Sequence, residues 1–117
     1  MKIFKVKNQK GEIICERCVL ADSFFLRALG LMFSDNIPEG GDGMLIKPCN
    51  SIHTFFMRYP LHIIFLNSEN KVVKVIKNLS PWRMTRIYFS ASQVIEIKSD
   101  RNINIEIGES LEVLCIN

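Results

Sequence analysis

No apolar run in this 117-residue chain approaches the roughly 20 residues that cross a bilayer, which excludes a transmembrane helix. The basic N-terminus is not followed by an apolar stretch. Lys5, Lys7 and Lys10 interrupt it, so no secretory signal is read and a cytoplasmic location is expected. Charge of one sign is scarce. Lys and Arg number 15 and Asp and Glu 12, and the net +3 is too small to mark a nucleic-acid binder. There is no Gly-rich loop with a following Lys for phosphates, no Gly-x-Ser-x-Gly elbow and no His-Glu-x-x-His zinc motif. Internal repeats, linkers and low-complexity segments are absent.

What remains is 48% hydrophobic and 23% charged, enough for one domain over residues 1–117 with one core. Residues 2–7 and 13–20 read as strands joined by the turn Asn8-Gln9-Lys10-Gly11. Asp22 is a good helix cap. Phe25, Ala28, Leu29 and Met32 then share one face at helical period. Gly30 would end that helix in a left-handed conformation, with Leu31 folding back on Leu26. Further strands are expected at 44–46, 52–57, 61–66, 71–77, 94–97 and 111–116, while 100–109 is ambiguous. Strand and long helix do not alternate, so the expected fold is α+β. It would be a compact, mostly antiparallel curled sheet or small barrel with one or two short helices.

Several motifs occur in order: Arg27-x-x-Gly30-Leu31-Met32, Glu39-Gly40-x-x-Gly43-Met44-Leu45, Ile52-His53-Thr54-Phe55-Phe56-Met57-Arg58-x-Pro60-Leu61, and Phe65-Leu66. With Val72-Val73, Pro81-Trp82, Glu96 and Gly108, they cover residues 12 to 116. The chain resembles the bacterial and archaeal family catalogued as domain of unknown function 192, and a bacterial origin is expected. The resemblance implies a small α+β domain rich in β structure, with no settled activity. Many members carry Asp where this chain has His62, so chemistry that used that Asp would not transfer.

The residues themselves offer four candidate sites. Cys15 and Cys18 have the spacing of a zinc or redox pair. On a regular strand, however, residues three apart face opposite ways, and Cys49 and Cys115 are single, so reduced thiols and no metal are expected. A hairpin pairing Met57 with Leu61 would put His53 and His62 on opposite sheet faces, His53 beside the core with Phe55 and Met57. Glu96 falls on what is ordinarily the solvent face of its strand, and Trp82 reads as a plug over the core or a stacking platform. Lys71, Lys74, Lys77, Arg83 and Arg86 stand in an acid-free window that could hold an anion or shield a sheet edge.

The function expected is a non-enzymatic binding or accessory domain. Its ligand would sit near His53, Met57, Trp82 and Glu96, with Arg58 beside them. The partner would be a small molecule or a protein, with nucleic acid disfavoured and no cofactor. One alternative is a small hydrolase or transferase using His53 with Ser51 or Glu96. The other is anion or nucleic-acid binding through residues 71–86.

Overall fold

The computed structural model describes residues 2–23, 27, 37 and 40–117. Its strands are β1 (Ile3–Lys7), β2 (Ile13–Ala21), β3 (Gly43–Ile46), β4 (Leu61–Leu66), β5 (Val72–Leu79), β6 (Gln93–Lys98) and β7 (Glu112–Cys115). They form one sheet in the order β5-β4-β6-β3-β2-β1-β7. The expected α+β class with a mostly antiparallel sheet is corrected. The described residues are organised by strands, and the sheet is mixed, since β2 and β3 run parallel. The reason lies in the connection over residues 22–42. A parallel pair needs a crossover of a dozen or more residues, and this segment supplies it. The expected helix with its Gly30 stop lies outside the described residues apart from Arg27, whose N–H donates to the Ser23 carbonyl at 2.9 Å.

The expected strand at 52–57 is also corrected. Thr54 to Met57 form a turn closed by Met57 N–H donating to the Thr54 carbonyl, and Phe56 sits at φ 64°. A residue in the left-handed region cannot continue a strand. β4 therefore pairs with β5 and β6 on its two sides. Residues 100–109 form no helix and no ladder, but Ile103 and Ile105 alternate inward and are buried.

The sheet curls. At the start of β5, Val72 N–H donates to the Glu109 carbonyl, and Gly108 N–H to the Val72 carbonyl, both at 2.8 Å. An antiparallel bridge joins Lys71 to Ser110. The segment leading into edge strand β7 is thus tied to the opposite edge, β5. One core cluster gathers Val6, Ile14, Leu20, Leu45, Ile64, Ile95, Ile103 and Leu111. A second lies across the sheet and gathers Val19, Met44, Ile63, Phe65 and Val94 with Ile52 and Met57. β4 and all but the last residue of β6 are buried, because both faces of the sheet are covered.

Candidate functional site

The second face is covered by two loops, residues 47–60 and 80–92, laid side by side as an irregular antiparallel ribbon. Trp82 N–H donates to the Thr54 carbonyl (2.9 Å), Thr54 N–H to the Arg83 carbonyl (2.8 Å), Thr85 N–H to the Ile52 carbonyl (2.9 Å) and Tyr88 N–H to the Asn50 carbonyl (2.9 Å). Thr54 is the centre of this pairing and is fully buried. Its hydroxyl donates to the Ser80 carbonyl at 2.6 Å and accepts the Arg83 N–H at 2.9 Å. The inner side of the ribbon carries Ile52, Met57 and Ala91 into the core, and Tyr88 packs on Phe65 with ring centres 4.5 Å apart.

The outer side is aromatic. The His53 ring stacks on Phe55 (5.0 Å), Phe55 on Trp82 (6.1 Å), and Phe56 meets Trp82 edge-on (4.6 Å). Phe56 and Trp82 both take left-handed backbone, φ 64° and 65°. Bulky side chains avoid that region at a cost of about 1 kcal/mol or more, so the Thr54 hydrogen bonds hold them there. Trp82 is 58% exposed, so of its two sequence readings it is not the plug over the core. His53 is exposed rather than beside the core, and its Nδ1 accepts the Phe55 N–H at 3.2 Å. Ser51 uses its carbonyl to accept the Cys49 thiol.

The structure therefore brings His53 and Trp82 into one exposed row, and places Met57 in the core. Glu96 is also inside, only 4% exposed, which corrects the expectation of a solvent-facing carboxylate. It lies on the interior strand β6, opposite Met44 on one side and Ile63 on the other. Both neighbours belong to the second core cluster. Burial raises the Glu96 carboxyl to about 7. Cys49 is close enough to feel that charge. Burial raises its thiol, and the Glu96 charge adds to the effect while Arg27 opposes it. The Arg27 guanidinium donates to the Pro48 carbonyl at 3.1 Å. Sequence reading left Arg27 without a site role and took Cys49 as a single, reduced thiol.

His62 is the buried histidine. Asn78 N–H donates to its Nδ1 at 3.2 Å, so the proton stands on Nε2, which donates to the Arg101 carbonyl at 2.8 Å. It ties β4 to two loops. Cys15 and Cys18 correct a second parity argument. Val6 pairs with Cys15 but Phe4 with Cys18, so β2 carries one extra residue at Glu16-Arg17. That bulge turns both thiols into the same core, where they are free. The Asp42 carboxylate accepts the Glu16 and Arg17 N–H groups at 2.9 and 2.8 Å and the Cys15 thiol at 3.0 Å, and pairs with Arg101. Burial pushes Asp42 up, but these donors outweigh it and hold its carboxyl below the ordinary range. Among the described residues no group of three His, Cys, Asp or Glu is placed to hold a metal, and no helix is long and apolar enough to cross a membrane. Of the basic candidates, Lys71, Lys77, Arg83 and Arg86 are exposed and Lys74 is half-buried.

A UPF0127 protein of Thermococcus sibiricus is 32% identical over 112 residues, 92% of this chain and 72% of its own. One from Pyrococcus horikoshii is 42% identical over 82 residues, 66% of this chain and 68% of its own. These relatives are archaeal, against the bacterial origin expected from the resemblance. A solved protein of unknown function from Novosphingobium aromaticivorans shares the fold, with a TM-score of 0.72 and 23% identity over 94% of this chain and 83% of its own. So does a Sinorhizobium meliloti protein, nominally a transcription regulator, with a TM-score of 0.75 and 18% identity over 96% and 92%. The family model described as "Uncharacterized ACR" matches residues 5–113, and the chain belongs to that family, domain of unknown function 192, whose function is unknown.

Proposed function

We propose that this protein is a non-enzymatic binding domain whose contact surface is the outer side of the ribbon, with His53, Phe56, Trp82, Arg83 and Arg86 as its centre. The observation that carries the reading is the pair Phe56 and Trp82. Both are exposed, both are held in left-handed backbone, and both are fixed by the buried Thr54. A fold maintains such strain where the side chains it aims have work to do. Large amphipathic rings presented at low entropic cost are what binding surfaces use. Met57 supports the ribbon from beneath, and Glu96 belongs to the sheet face under it.

Trp82 is the only tryptophan, so its fluorescence reports on this surface directly. The test is a titration against three anionic probes: lipid vesicles, a single-stranded oligonucleotide and an acidic peptide. A saturable change in Trp82 emission that is lost in Thr54→Val supports the reading. Silence toward all three overturns it.

A further inference from the structure

We infer that the ribbon docks on an anionic lipid surface, with its exposed apolar side chains entering the headgroup boundary. The inference rests on the binding reading above and names its partner. Five large apolar residues are exposed on this one ribbon: Phe56 at 44%, Trp82 at 58%, Met84 at 69%, Ile87 at 51% and Phe89 at 88%. A patch of this kind on a folded surface marks a contact site. Along the sequence, the two loops of the ribbon carry basic residues and no acid. From residue 43 to residue 95 the only acid is Glu69, and residues 70–95 carry Lys71, Lys74, Lys77, Arg83 and Arg86 with none. Cations interleaved with Trp, Phe and Ile are the composition that seats a segment at a negatively charged bilayer surface.

Part of the ribbon's backbone suits that environment. A loop entering the lipid boundary must not carry unpaired amides. In the ribbon the N–H groups of Trp82, Arg83, Thr85 and Tyr88 all donate to groups of the facing loop, namely the Thr54 carbonyl, the Thr54 hydroxyl, the Ile52 carbonyl and the Asn50 carbonyl. Four amides of the ribbon, that of Trp82 among them, are therefore already paired within the protein. Aliphatic residues decide against nucleic acid as the partner. Base stacking uses flat rings, and Met84 and Ile87 offer none.

The experiment uses the whole chain with vesicles of equal parts phosphatidylglycerol and phosphatidylcholine, and with pure phosphatidylcholine vesicles as the neutral arm. Trp82 emission is expected to shift to the blue on the anionic vesicles and not on the neutral ones. Arg83→Gln with Arg86→Gln should weaken binding roughly tenfold or more, since each cation near such a surface is worth about a fivefold factor. Phe89→Ser should weaken it with no change in the salt dependence. All three positions are exposed, so thermal unfolding should stay at the parent midpoint and certify the fold. No blue shift on anionic vesicles, or a shift that ignores the arginine changes, overturns the inference. A response to the oligonucleotide or the acidic peptide instead overturns it while leaving the binding surface standing.

Discussion

Glu96→Gln should stabilise the protein, and more so as pH rises. The carboxyl has an ordinary value of 4.5 and a folded value of about 7, because burial between β3 and β4 disfavours its charge. Between those two values the folded state holds more protons at this site than the unfolded chain, so stability falls with rising pH. Each unit of difference is worth about 1.4 kcal/mol. The ionised carboxylate therefore costs less than about 1 kcal/mol at pH 5 and roughly 3 kcal/mol by pH 8, where the cost levels off. Gln has nearly the same shape and no charge to lose. Urea unfolding of both proteins at pH 5, 6, 7 and 8 measures the difference directly, and other titrating groups cancel because both carry them. The stability gap should widen by about 2 kcal/mol across the range, with its midpoint between pH 5 and 7. A gap that stays flat, or that narrows as pH rises, would show that Glu96 is not a desolvated acid in the folded protein.

Thr54→Val keeps the side-chain shape but removes the hydroxyl from between the Ser80 carbonyl and the Arg83 N–H. It should cost about 2 kcal/mol in chemical unfolding and increase the mobility of Trp82 in fluorescence anisotropy, whereas unchanged anisotropy would mean the ribbon does not depend on this residue. Gly43→Ala should cost about 1–3 kcal/mol, because the added Cβ would lie 2.5 Å from the Cys15 sulfur and 3.1 Å from the Glu96 carbonyl oxygen. In a Cys15→Ala background most of that cost should vanish, and an unchanged cost would place the crowding elsewhere.

The strands were legible where the pattern was local. The Val and Ile of β5, with Lys at every third position, and the apolar run of β6 announce themselves in a few residues. The helical expectation used the same kind of signal over 22–32, which apart from Asp22, Ser23 and Arg27 lies outside the described residues. That β3 lies beside β2 in parallel was not legible, because strand direction is a property of the whole connection and not of a few residues. The strand expected at 52–57 failed for a related reason. Its apolar residues are real core members, Ile52 and Met57 among them, but the backbone partner of Thr54 lies in the loop at 80–83.

The errors at Cys15, Cys18 and Glu96 trace to parity. Counting residues along a strand assigns faces correctly only if no bulge intervenes and only one face is buried. At Glu16-Arg17 a bulge breaks the first condition. It is stabilised by Asp42, about 25 positions further along, so nothing within Cys15-Glu16-Arg17-Cys18 could reveal it. At β4 and β6 the second condition fails, and here the sequence did carry a warning. Leu61-His62-Ile63-Ile64-Phe65-Leu66 has no polar face to offer water, which is the mark of a strand covered on both sides. The cover over β4 extends to the interior strand β6, which lies between β4 and β3, but not to the edge strand β5. From that step Glu96, on the strand hydrogen-bonded to β4, follows as a buried acid. An acid there is costly to the fold when charged, so its presence calls for a reason that packing alone does not supply.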